Sequence, residues 1–273
     1  MPAYLCAIGN QKGGVSKTTN CVHLATALAE LQRRVLIIDL DADAGATRHF
    51  GIPPESYLGT FEVLVGLEQP EDVLISSEDE EVDLPAHVSL MPANRKLEKV
   101  EQALLSQNKF VVLQDVLIKP LERLTPMFDY IFLDTAPNAM APTIAAYKAA
   151  DYFILSAIPD PFAIAGLSDA LADIEAARAH GNPRLTLLGV ILSMMDRRTN
   201  LAKTLRDYVQ EKFALDGHES LKFATTIDRS TEVPKAQREG KTLFATAPVH
   251  KVTDQYRQLA REVELRLHKV AGR

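Results

Sequence analysis

Gly13 and Gly14 lie between two lysines in the order Lys12-Gly13-Gly14-Val15-Ser16-Lys17-Thr18-Thr19, a spacing that suits the capture of an anion. Adjacent glycines let successive backbone N–H groups turn toward one guest, and a helix starting near Lys17 adds the positive end of its dipole. A polyphosphate is the natural guest. Lys17 is placed to reach the terminal phosphates, and the Thr18 hydroxyl to ligate Mg²⁺. The common pattern for such loops is Gly-x4-Gly-Lys-Thr/Ser, and here its two glycine positions hold Gln11 and Ser16. Three acids complete the set. Asp39 ends the apolar run Val35–Asp39, Asp41 follows in the next loop, and Asp134 ends the run that starts at Asp129. An apolar run ending in an acid is a buried parallel strand that delivers a carboxylate to the C-terminal edge of its sheet. Each of these features taken singly also has a plain reading, as a solvated loop lysine or a loop acid; their common order along the chain favours chemistry.

These groups need elements to hold them. Tyr4–Ile8, Val88–Pro92, Tyr152–Ile158, Leu185–Leu192 and Leu221–Ala224 read as further strands. Thr60–Leu67, Arg95–Gln107, Val111–Leu124 (with Pro120 as a kink or break), Ala163–Ala179, Leu201–Phe213, Val233–Glu239 and Val252–Val270 read as helices. Strands alternating with helices predict an α/β fold, a doubly wound and mainly parallel sheet with helices on both faces and the site at the strands' C-terminal edge. With 273 residues and 47% hydrophobic content the chain can bury a full core, and one domain over residues 1–273 is expected. Cys6 and Cys21 lack ligand spacing and read as small buried residues, which argues for a reducing cytoplasm and against iron–sulfur chemistry. The acidic cluster Glu78, Asp79, Glu80, Glu81 and Asp83 reads as an exposed loop. No apolar run approaches the ~20 residues of a spanning helix, and the start of the chain carries no signal-peptide pattern.

Charge is unevenly distributed. Residues 1–196 hold 14 Lys/Arg against 26 Asp/Glu, a balance of −12, and residues 197–273 hold 16 against 10, a balance of +6, which together give the net −6. Such asymmetry suits an anionic partner for the C-terminal part and equally suits a solvated helix surface.

The order Lys-Gly-Gly-x-x-Lys-Thr, with Lys12 leading, resembles the deviant Walker A loop of the ParA/MinD family of P-loop ATPases. Leu40–Gly45 is similar to that family's Asp-x-Asp-Pro-Gln segment, and Asp134–Pro137 to its Asp-x-x-Pro switch. Leu192–Leu201 is similar to its base-binding Leu-Asn-Met-x-Asp-x-Arg-Thr-x-Leu, with Ser193 in place of the asparagine. Ile227-Asp228-Arg229-Ser230 resembles its Ile-Pro-Arg-Asn. The resemblance runs from about Ala3 to Val263. It implies ATP and Mg²⁺ as cofactors, with Gly13 to Thr19, Met194 and Asp228 against the nucleotide, and Thr18, Asp39 and Asp134 serving the metal. It also implies that Asp41 orients the attacking water and that Lys12 crosses a dimer interface to the partner's nucleotide. The activity implied is that of a small partition ATPase, cytoplasmic and nucleoid-associated. Its ATP-bound homodimer would coat double-stranded DNA without sequence preference through Arg197, Arg198, Arg229, Lys235, Arg238 and Lys241, and a ParB-like or other cargo adaptor would stimulate hydrolysis. The first strand opens almost at once, so the extra N-terminal DNA-reading domain of larger relatives is not expected. A MinD-like membrane-cycling regulator is the alternative. It would need the stripe Tyr256, Leu259, Val263, Leu267 and Val270 to lie on lipid, but that stripe lacks Phe and Trp and has the spacing of a helix docked on a core. A metabolic ligase on the same fold would leave Lys12 without a purpose.

Overall fold

A computed structural model describes residues 3–79, 81–107, 112–214 and 220–272. Seven strands form one sheet: β1 (Tyr4–Gly9), β2 (Val35–Asp39), β3 (Ile75–Ser76), β4 (Val88–Met91), β5 (Tyr130–Asp134), β6 (Tyr152–Ala157) and β7 (Thr186–Leu192). Their spatial order is β3-β4-β2-β5-β1-β6-β7, and every pairing is parallel except β3 with β4. The expected mainly parallel, doubly wound α/β sheet is therefore present. Its central strands are apolar throughout because both faces are covered.

Successive side chains of a strand point to opposite faces, and two cores follow from that alternation. Leu5, Ala7, Leu36, Ile38, Ile131 and Leu133 pack on one face with α3 (Thr60–Leu64), α4 (Val100–Ser106), α5 (Ile118–Leu124), α6 (Ala141–Ala149), α7 (Ala163–His180) and α8 (Asn200–Lys212). Tyr4, Cys6, Ile8, Val35, Ile37 and Phe132 pack on the other with α1 (Lys17–Glu30), α2 (Gly45–His49), α9 (Glu232–Arg238), α10 (Leu243–Thr246) and α11 (Lys251–Val270). Both cysteines are buried and unpaired, as their spacing implied.

Several expectations need correction. Leu221–Ala224 is not a strand but a single bridge, Val190 to Lys222: Leu221 and Phe223 pair with Val190, and beyond them the Lys222 carbonyl is taken by Arg266 (2.9 Å) and the Ala224 N–H by Glu262 (2.7 Å). Arg95–Lys99 is 3-10 helix before α4 begins, and α3 stops at Leu64. The long helix expected over Val111–Leu124 is a 3-10 turn, Leu113–Asp115, followed by α5; Val111 lies outside the described residues. The break in the stretch comes at residues 116–117, just ahead of Pro120, which falls in the first turn of α5, where its missing N–H leaves no partner unmet and α5 itself is continuous. The described acids of the cluster are exposed and lie in a loop, as expected, and two of them also make specific contacts. Asp83 pairs with Lys241 at 3.2 Å and Asp79 accepts the Ser76 N–H at 2.6 Å, while Glu80 lies outside the described residues. In α11, Tyr256, Leu259, Val263 and Leu267 are buried and only Val270 of the stripe is exposed, so this face is taken up by the core. Among the described residues, no helix is long and apolar enough to cross a membrane.

Candidate functional site

The loop between β1 and α1 sits at the centre of the sheet's C-terminal edge, because β1 pairs with β5 on one side and β6 on the other. Its backbone is held open by two left-handed residues, Gly14 at φ 73° and Ser16 at φ 68°. Among the described residues the amides from Gly13 to Thr19 have no acceptor within the chain, while Val15 is buried beneath them. Unpaired N–H groups at a helix start form an anion cradle. Ser16 caps α1 without a side-chain hydrogen bond, so its hydroxyl contributes nothing visible to the loop, and its β-carbon carries the ~1–2 kcal/mol cost of the left-handed region. Ser16→Gly is therefore expected to stabilise the fold by up to ~1 kcal/mol and to change ATP affinity by less than ~tenfold. Thermal unfolding and calorimetry check both, and a larger gain in affinity would mean that serine impairs the cradle.

Lys17 is buried, and its Nζ donates to the Lys12 carbonyl at 3.1 Å, inside the curve of the loop. Burial lowers its pKa, while the charges of Asp134 and Asp41 work to keep it protonated. Asp39 and Asp134 are register partners on adjacent strands, so two buried carboxylates stand side by side. They are not equivalent. Asp39 accepts the Thr47 N–H (2.9 Å) and hydroxyl (2.8 Å) on one oxygen and the Asp41 N–H (3.2 Å) on the other. Burial nonetheless pushes it up to about 6. Both oxygens of Asp134 are buried and neither makes a well-formed hydrogen bond, the Thr18 hydroxyl standing nearby; burial together with the neighbouring Asp39 raises its pKa well above the usual carboxylate value, which the Thr18 hydroxyl and Lys17 oppose. Orphaned carboxylate oxygens beside a hydroxyl fit a hard divalent cation. Among the described residues no group of three His, Cys, Asp or Glu could hold a metal unaided. That also fits Mg²⁺, which takes one or two carboxylates and completes its shell with phosphate oxygens and water. Gly45, at the start of α2, lets Thr18 into this position, since a β-carbon there would stand 3.0 Å from the Thr18 Oγ1.

A cleft of about 700 Å³ opens over the loop, and it brings Gly13 to Thr19 together with Asp41, Met194 and Asp228. Asp41 is half-buried and accepts the Asp43 N–H at 3.0 Å. Met194, with φ 53°, is exposed into the cleft. Asp228 pairs with Lys251 through one oxygen, and its other oxygen is buried without a partner. Ser193 is different: its hydroxyl is buried and donates to Asn20, so the side chain at this position faces the interior. Lys12 lies outside the cleft lining and is ion-paired with Asp160, with the Phe162 ring 5.4 Å away.

The basic residues divide. Arg197, Arg198 and Arg229 gather where β7 ends, because the Arg229 N–H donates to the Met195 carbonyl at 3.1 Å. Lys235 and Arg238 follow on α9. Arg198 pairs with Asp196 (2.8 Å) and Lys235 with Glu232 (3.5 Å), whereas Arg197, Arg229 and Arg238 are exposed and make no ion pair among the described residues. Lys241 is ion-paired with Asp83 at 3.2 Å. Sequence reasoning missed Asp160 and Thr47. Asp160 follows a buried strand as Asp41 does, so the same logic could have found it. Thr47 carries no sequence signal.

Comparison with known proteins is consistent across nearly the whole chain. A family model described as an AAA domain matches residues 3–187. The chromosome-partitioning ATPase Soj of Thermus thermophilus is 33% identical over 261 residues, which cover 96% of this chain and 95% of that protein. The sporulation initiation inhibitor protein Soj of Bacillus subtilis is 30% identical over 262 residues, 95% and 97% of the two chains. Among solved structures, cobyrinic acid a,c-diamide synthase from Mycobacterium smegmatis, with bound ATP analog and magnesium, is 28% identical with a TM-score of 0.78, over 99% of this chain and 97% of that one.

Proposed function

This chain belongs to the ParA/MinD family of Walker-type ATPases, and from that premise we propose that it is a partition ATPase whose ATP-bound homodimer holds DNA. The enzyme hydrolyses ATP with Mg²⁺ as cofactor. The observation that carries the reading is the loop of unpaired amides from Gly13 to Thr19, set between two lysines and beside the paired acids Asp39 and Asp134. The solved diamide synthase has the same fold, so fold alone does not choose the reaction. The leading Lys12 and the higher identity to partition proteins favour the partition reading.

The geometry supports the following roles. The amides from Gly13 to Thr19 cradle the phosphates, and Lys17 exchanges the Lys12 carbonyl for phosphate oxygens. Thr18, Asp134 and Asp39 would hold Mg²⁺, which would neutralise charge on the terminal phosphates. Asp41, at the cleft wall, orients water toward the terminal phosphate. Met194 and Asp228 border the base. Asp228 can accept a hydrogen bond from an exocyclic amino group through its free oxygen.

Lys12 acts between subunits. In the single chain its ammonium is neutralised by Asp160, a pair whose side chains are about one-quarter exposed. Reaching a partner's triphosphate requires leaving Asp160 for a site of higher negative charge. ATP therefore favours the dimer, and the dimer doubles the basic surface formed by Arg197, Arg198, Arg229, Lys235 and Arg238, raising effective concentration on one duplex. A ParB-like or other cargo adaptor would then trigger hydrolysis and release, which places the protein on the nucleoid in the cytoplasm. The stripe that a membrane-cycling regulator would lay on lipid is packed against the core instead. Lys12→Ala is expected to bind ATP within ~threefold of wild type while losing ATP-driven dimerisation and hydrolysis. A wild-type level of ATP-loaded Lys12→Ala dimer in light scattering would refute the cross-subunit role.

A further inference from the structure

Four buried side chains form a closed network beneath the cleft, and its polarity can be assigned from one end. Ser156 Oγ stands 2.6 Å from the Val15 carbonyl, which can only accept, so the Ser156 proton points there. Ser156 Oγ must then accept from Asn20, and the contact at 2.8 Å is with Nδ2. That fixes Asn20 Oδ1 on the other side, where it accepts both the Ser193 hydroxyl at 3.0 Å and the Tyr256 hydroxyl at 2.9 Å. Asn20, Ser156, Ser193 and Tyr256 are all essentially inaccessible to solvent. Asn20 thus ties the phosphate loop, through Val15, to the two elements that build the far side of the cleft. Ser193 precedes Met194, whose left-handed backbone turns it into the cleft, and Tyr256 belongs to α11.

We propose that Asn20, Ser193 and Tyr256 form a positioning unit that sets the base side of the cleft against the phosphate side. It would thereby let a complete nucleoside triphosphate bind more tightly than its phosphate chain alone. Ser193 and Tyr256 border the cleft, but their hydroxyls are spent on Asn20, so the three act through Met194 and Val15. The inference rests on the ATP-binding reading and extends it, because it says how a chain with serine at position 193 organises base recognition: the amide is supplied from α1 and acts through the hydroxyl. Removing one hydroxyl leaves Asn20 Oδ1 with a single donor and loosens Met194 relative to Val15.

The test is the affinity for Mg-ATP and for Mg-tripolyphosphate of wild type, Ser193→Ala, Ser193→Thr and Tyr256→Phe, by calorimetry. Tyr256→Phe keeps its packing, so it remains informative if another variant folds poorly. The expected result is a loss of ATP affinity of about tenfold in Ser193→Ala and Tyr256→Phe, with tripolyphosphate affinity within ~twofold of wild type and ATP binding retained in Ser193→Thr. A purely structural network would weaken both ligands in parallel or neither, and either outcome overturns the proposal. Wild-type protein that binds neither ligand would overturn the nucleotide reading itself, and this inference with it.

Discussion

Lys17→Ala is expected to abolish measurable ATP binding. The side chain is buried at the inner curve of the phosphate loop, so water cannot replace the ammonium it removes. Burial already works against its charge, and the acids Asp134 and Asp41 keep that charge in place. In the complex its interactions are charge-assisted hydrogen bonds to phosphate, worth ~1.5–3 kcal/mol each, and two of them correspond to a loss of at least ~100-fold. The deletion also leaves the two neighbouring carboxylates facing the incoming polyanion with one cation fewer. Isothermal calorimetry with Mg-ATP measures the effect directly, and unchanged affinity would end the phosphate-loop assignment.

Asp41→Ala should separate binding from turnover. Asp41 stands on the cleft wall and within its own loop caps only the Asp43 N–H, so its loss leaves the cradle and the Asp39–Thr47 contacts in place. Affinity should stay within ~threefold. Orientation of the attacking water matters in the transition state and little in the ground state, so kcat should fall by ~100-fold or more. Asp41→Asn keeps the cap's shape without the charge and should behave like the alanine variant. Affinity falling in step with turnover in both variants would contradict the role.

The loop between β1 and α1 was legible because two glycines and two lysines at a fixed spacing are a local arrangement that leaves a local signal. Asp39 and Asp134 were legible because a buried parallel strand is apolar until its last residue, and register then makes them neighbours. Other features depend on distant side chains. The pairing of Leu221–Ala224 with β7 stops where Arg266 takes the Lys222 carbonyl and Glu262 the Ala224 N–H. The direction of Ser193 is decided by Asn20, and the confinement of Lys12 by Asp160. α2 spans five residues and β3 two, too short for any periodicity to register. The charge asymmetry at the C-terminal end was visible in the residue counts. Its division into paired residues, such as Arg198 and Lys241, and unpaired ones, such as Arg197 and Arg229, appears only in three dimensions.

ATP is expected to switch on sequence-independent DNA binding, which gel shifts with two unrelated duplexes in ATP and in ADP would measure. The protein should bind in ATP alone and equally on both duplexes, and more weakly as Arg229→Ala. That affinity should fall by ~0.9 log unit per log unit of salt for each phosphate neutralised. Equal binding in ATP and ADP, or none in either, would contradict it.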